Sequence, residues 1–114
     1  MRENDPRADL ARRIAKALRR YGGFVYEDDI DKHSLVMDVI REAGVNLVLS
    51  VAQLSPQKKI YAIVPLDRRC RVSCTASCND EEPCFEECMN KCRKEIITKV
   101  SEALEKFAER ITRH

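Results

Sequence analysis

The apolar positions of this chain first recur at helical spacing. Leu10, Ala11, Ile14, Ala15, Leu18 and Tyr21 fall on one stripe, and Arg12, Arg13, Lys16, Arg19 and Arg20 on the opposite face. Asp5 suits an N-cap, Pro6 a first helical position, and Gly22 the residue past a helix end. The period then changes to two. Phe24-Val25-Tyr26 predicts a short strand that runs into the acidic turn Glu27-Asp28-Asp29-Ile30-Asp31. Val45, Leu47, Leu49 and Val51 alternate with Asn46, Val48, Ser50 and Ala52, and Ile60, Ala62, Val64 and Leu66 alternate with Tyr61, Ile63 and Pro65. Ser55-Pro56-Gln57-Lys58 supplies turn chemistry between these strands, and Pro65 belongs at a strand end, because it has no N–H for a ladder.

Residues 34–43 fit both periods. Leu35, Val36, Val39, Ile40 and Ala43 form a helical stripe with Ser34 as cap and Gly44 as stop. Leu35, Met37 and Val39 also alternate with Val36, Asp38 and Ile40. The β-branched content and the neighbouring Gly44-Val45-Asn46 favour a strand, and so a meander of up to four strands.

Beyond Asp67 the pattern is set by sulfur. Cys70, Cys74 and Cys78 are spaced C-x3-C-x3-C, and Cys84, Cys88 and Cys92 repeat the spacing after five residues. Residues four apart share a helix face, so each triplet forms a column. A fold at Asn79-Asp80-Glu81-Glu82-Pro83 brings Cys70 to Cys92, Cys74 to Cys88 and Cys78 to Cys84. Three disulfides between two helices follow, and closing the outermost loop contributes roughly 3 kcal/mol on the chain-entropy estimate. The second helix starts near Pro83 and continues through Phe85, Cys88, Met89, Cys92, Ile96, Val100, Ala103, Leu104, Phe107 and Ile111. At about 1.5 Å per residue it reaches roughly 45 Å. That overhangs any sheet this chain can build.

The expected architecture is therefore α+β in a single domain, 1–114: an N-terminal helix and antiparallel sheet over 1–66, then a cysteine-laddered helical hairpin over 70–114. A charged share of 35%, scarce Gln and no Trp describe a densely ionic surface of the kind hyperthermophiles use. Disulfides inside cells are common in hyperthermophiles and rare elsewhere. With no signal-peptide run at the start and no apolar stretch long enough to span a bilayer, the expectation is a cytoplasmic hyperthermophile protein without membrane contact.

Candidate chemistry is sparse. The sequence offers no phosphate-cradling glycine loop, no H-E-x-x-H, and no assignable catalytic or cofactor-binding residue. The six cysteines as thiolates form an alternative Zn or Cu site, although C-x3-C differs from the usual zinc-ribbon spacing. If free, Cys70 and Cys74 beside Arg69 and Arg71 are the reactive pair. His33 lies near Asp29, Asp31 and Ser34 and reads as part of a solvated turn, as does the acidic group Glu27, Asp28, Asp29 and Asp31. The one basic segment is residues 1–23, net +4, so Arg12, Arg13, Lys16, Arg19 and Arg20 form the alternative nucleic-acid face. Were residues 33–43 helical, the order of elements would resemble a winged-helix module, with Lys32, His33, Asp38, Arg41 and Glu42 as a poor phosphate-facing set.

Leu10–Tyr21, Gly22-Gly23, Phe24-Val25-Tyr26 and the strands 45–54 and 59–66 together resemble the type III secretion chaperone-like family over residues 8–66. The paired C-x3-C columns over 70–92 resemble the disulfide-linked hairpins of the α-hairpinins. The first resemblance implies a dimeric partner-binding module without catalysis; the second implies a stapled hairpin. The leading functional expectation is a non-enzymatic binding or assembly protein. It would be a homodimer, or bind a protein partner, through the C-terminal helix, because the stripe at Val100, Phe107 and Ile111 overhangs the sheet.

Overall fold

The computed structural model describes residues 5–79 and 81–113, and it has the α+β architecture expected of the sequence. Residues 1–4, Asp80 of the predicted hairpin turn, and His114 lie outside the described residues. The elements are α1 (Pro6–Tyr21), β1 (Phe24–Glu27), α2 (Ile30–Ala43), β2 (Leu47–Ser55), β3 (Lys58–Pro65), α3 (Arg68–Cys78) and α4 (Glu82–Thr112).

Helix α1 has the boundaries its caps encode. The Asp5 carboxylate accepts from the Arg7 N–H at 2.9 Å, and Gly22 takes a left-handed φ of 79° while its N–H bonds the Leu18 carbonyl. Ala8 through Leu18 bury their apolar stripe, but Tyr21, expected to extend it, is 78% exposed. The stripe ends a turn early because the chain leaves the helix at Gly22 toward β1.

Residues 34–43 are helical, which corrects the preference for a strand. The helix also starts earlier than Ser34. Asp29 caps it by accepting from the N–H groups of Asp31 (3.0 Å) and Lys32 (3.2 Å), and Gly44 closes it in the left-handed region. The acidic stretch that read as a turn therefore holds the helix N-terminus, where negative charge is favourable. Val36 and Val39 are fully buried, with Leu35, Met37, Ile40 and Ala43 packed around them.

Because α2 occupies the place of a strand, the sheet has three strands in the order β1-β3-β2, both pairs antiparallel. β3 is central, with Phe24 opposite Ile63 and Tyr26 opposite Tyr61 on one side, and Leu49 opposite Ile63 and Val51 opposite Tyr61 on the other. Opposed residues share a face. Phe24, Tyr26, Leu47, Tyr61 and Ile63 face the helices and join the core of Leu10, Ile14, Leu18, Val36, Val39, Leu104 and Phe107. Gly23 passes so close to β3 that an added Cβ would lie 3.1 Å from the Val64 side chain. Pro65 closes β3, where its missing N–H costs no ladder bond.

The long helix corrects a second expectation. Val100 and Phe107 are buried, Ile111 is half-buried, and α1 covers this end of α4 within the chain. Ser101, wholly buried, donates from Oγ to the Ala15 carbonyl at 3.3 Å and ties the two helices. The overhang is at the other end. Residues 82–95 run beside α3 as an arm, and the molecule measures 53 × 42 × 20 Å.

Candidate functional site

The arm is built from sulfur. Cys70–Cys92, Cys74–Cys88 and Cys78–Cys84 are disulfides, the nested register of the two columns, with Cα–Cα distances of 5.8, 5.7 and 5.5 Å. Cys70, Cys74 and Cys78 are buried, and Phe85, Met89 and Ile96 fill around them. No cysteine is free, which leaves neither a thiolate for Zn or Cu nor a reactive thiol at Cys70 or Cys74. No group of three metal-ligating side chains occurs among the described residues. The ladder is architecture: it fixes α3 against α4.

At the base of the arm the two helices meet the body of the protein in a cleft of about 730 Å3. Its apolar lining includes Val45, Leu66, Ile96, Val100 and Ala103, and the Cys70–Cys92 bridge forms part of the wall. Arg68, Arg69 and Lys99 also line it, with Glu95 and Ser73. Neighbouring Asp67 does not neutralise the two arginines, since it pairs with Arg71 (3.7 Å) and Arg93 (3.0 Å).

The sheet supplies a different surface. Strand β2 is an outer strand, nine residues long, without a charged side chain, and exposed from Val48 to Ser55. Val51 is 56% and Leu54 60% exposed. The face of the sheet turned away from the helices carries Val25, Val48, Val64, Ile60, Ala62 and Ala52, with Val25 61% exposed. Natural edge strands are usually guarded by Lys, Pro or brevity. Here the one irregularity is a register shift between Gln53 and Ser55, at the far end.

A third cluster is the aromatic group that sequence reading missed. His33 is half-buried on α2 rather than on a solvated turn. Its ring lies 4.7 Å from Tyr61 between centroids, and its Nδ1 shares a 2.8 Å hydrogen bond with the Tyr26 hydroxyl. Tyr26 and Tyr61 stack at 5.2 Å. Tyr61 donates to Asp28 at 3.1 Å, and that bond to a carboxylate, followed by desolvation, raises its pKa; burial raises that of Tyr26. The acidic group is thus divided among structural tasks: Glu27 pairs with Lys58 (3.3 Å), Asp28 with Tyr61, and Asp29 caps α2. Ser34 is exposed, and the His33 ring is hydrogen-bonded to Tyr26 rather than to Ser34. Tyr26 and Tyr61 occupy opposed register positions on β1 and β3, a signal that only pairing of those strands makes visible.

The basic face of α1 is only partly free. Arg13 pairs with Asp9 (3.1 Å) and Arg19 with Glu105, whereas Arg12, Lys16 and Arg20 stand exposed one turn apart. On α2, Arg41 pairs with Asp38 (2.6 Å) and Glu42 with Arg7 (2.8 Å), which engages part of the set Lys32, His33, Asp38, Arg41 and Glu42. Residues 33–43 are helical, so the order helix, helix, hairpin is present as α1, α2 and β2–β3, with β1 between the two helices.

Comparison with protein-family models, with curated proteins and with solved structures gives no match to this chain. No helix among the described residues is long and apolar enough to cross a membrane.

Proposed function

We propose that this protein is a non-enzymatic binding and assembly module that associates with a second copy along β2. The observation that carries the reading is the uncharged, unguarded edge Leu47–Ser55, which leaves backbone N–H and C=O groups and apolar side chains facing solvent together. Strand addition draws its affinity from such backbone groups and its selectivity from alternate side chains. Antiparallel pairing of two β2 edges about a two-fold axis would extend the three-stranded sheet to six strands and leave no long edge open. The dimeric binding role implied by the type III secretion chaperone-like resemblance agrees with this, but the surface is the sheet rather than the C-terminal helix.

The setting we infer is the cytoplasm of a hyperthermophile. The disulfides support that or an oxidising compartment, and the ionic surface supports the former. Arg7 bridges Asp5 and Glu42, and Asp67 bridges Arg71 and Arg93, small networks of the kind that gain value at high temperature.

Sedimentation equilibrium of the whole chain tests the reading. Wild type is expected at twice the chain mass at high micromolar concentration, and Val51→Lys at the single mass, with equal melting temperatures only when both are diluted to where wild type is also monomeric. A wild type that stays monomeric sinks it, and so does a Val51→Lys dimer.

A further inference from the structure

We propose that the cleft between the arm and the body binds an apolar molecule carrying a phosphate monoester. Three observations converge there. The volume, about 730 Å3, falls in the range of small-molecule sites, roughly 300–1,000 Å3. The apolar lining supplied by Leu66, Ile96, Val100 and Ala103 meets the core at Ile96 and Val100 and suits a hydrocarbon or ring system rather than a bare ion. Among the described residues Arg68, Arg69 and Lys99 form no ion pair, and with Glu95 as the lone carboxylate of the lining the cleft holds two net positive charges. A phosphate monoester carries about −1.5 to −2 at neutral pH and offers three acceptor oxygens, which matches two guanidinium forks and an ammonium. A carboxylate matches half of that charge.

The sequence feature with no other chemistry to do now has a place in binding. Cys70 and Cys92 belong to the two helices that wall the cleft, so the outermost disulfide fixes its width before the ligand arrives. Preorganisation of this kind spares the ordering cost that a mobile pair of helices would exact on binding. The site is separate from the β2 edge, and neither needs the other.

The test is calorimetric titration of the intact, oxidised protein with decyl phosphate, held below the concentration at which it self-associates. Saturable binding is expected, with decanol and inorganic phosphate each weaker by at least about tenfold, because each offers one half of the complement. Decanoate should be several-fold weaker. Lowering the pH from about 7 to about 5 should weaken decyl phosphate several-fold as the monoester loses its second charge, whose pKa is about 6. Arg69→Glu with Lys99→Glu, both on exposed positions, should fold normally and lose at least about tenfold in affinity. Ser73→Trp, which fills the cleft from α3, should do the same without changing charge. Val51→Lys should bind as wild type does, which separates this site from the dimer interface. Absence of saturable binding, equal affinity for decanol or decanoate, or binding unchanged in either cleft variant would overturn the proposal.

Discussion

The two ends of α4 belong to regions stabilised in unlike ways. From Val100 to Ala108 the helix packs on α1 through aliphatic and aromatic side chains, within a core that includes Ile14, Leu18, Val36, Ile63 and Leu104. From Cys84 to Cys92 it packs on α3 alone, and the buried centre there is Cys70, Cys74 and Met89. Ile96 is where the two cores touch. The body follows the usual route, in which each large side chain taken out of water contributes about 1.5–3 kcal/mol. The arm has no such supply. Helix α3 is 11 residues long, its only buried residues are cysteines, and its N-cap Asp67 makes no capping hydrogen bond. Helices this short are marginal in water. The arm therefore substitutes covalent limits on the unfolded chain for apolar burial within the folded one.

That contrast is broken most directly by reduction. With the bridges open, the loop of 22 residues between Cys70 and Cys92 regains entropy worth about 3 kcal/mol. The amides of α3 should then exchange with solvent at nearly the open-chain rate, while those of α1 keep their protection. Hydrogen exchange on oxidised and fully reduced protein reads both at once. If α3 stays protected after reduction, Phe85 and Met89 are a sufficient core and the contrast fails.

A core truncation sharpens the same comparison from the body's side. Leu104 is fully buried against α1, and Leu104→Ala should cost about 2–5 kcal/mol in denaturant unfolding. Cys88 lies about 24 Å away along the helix at 1.5 Å per residue. Combined with Cys74→Ala and Cys88→Ala, the truncation should therefore add to within about 0.5 kcal/mol. A larger coupling would mean that the straight rod of α4 transmits strain between the regions through Ile96, making them one cooperative unit.

The same division explains what could be read in advance. The disulfide register was legible because it depends on local geometry alone: four residues per step on each helix, and one short turn. α1 was legible because Asp5, Pro6 and Gly22 mark its ends regardless of surroundings. Residues 34–43 were not, since Val36, Val39 and Ile40 satisfy both periods. What decided them was Asp29 at the cap and packing on α1, one overlooked and the other tertiary. The order β1-β3-β2 follows from that helix, so a single local ambiguity also hid the sheet topology. Of the candidate sites, the cleft was invisible because its cations come from α3 and α4 and its floor from both regions. The β2 edge was written out in full as Leu-Val-Leu-Ser-Val-Ala-Gln-Leu-Ser, but knowing it to be an edge required the strand order.

The smallest expected effect concerns pH, and it falls on the body alone. Burial raises the Tyr26 pKa above its ordinary value near 10, so the folded state holds that proton more tightly than the unfolded chain does. The resulting stability is fully present below pH about 10 and is lost as pH rises through the raised folded value. Melting temperature should thus be flat at neutral pH and decline above about 10, while the arm, whose buried groups are disulfides that do not titrate, contributes no slope of its own. Tyr26→Phe removes the ionisation together with the bond to His33. It should lower the neutral plateau slightly, by about 0.5–1.5 kcal/mol for one hydrogen bond, and flatten the alkaline decline. Tyr61, held protonated mainly by its bond to Asp28, remains to titrate and leaves a residual slope. A Tyr26→Phe profile that falls as steeply as wild type would place the alkaline weakness on Tyr61 or outside the aromatic stack, and would remove Tyr26 as the titratable weakness of the body.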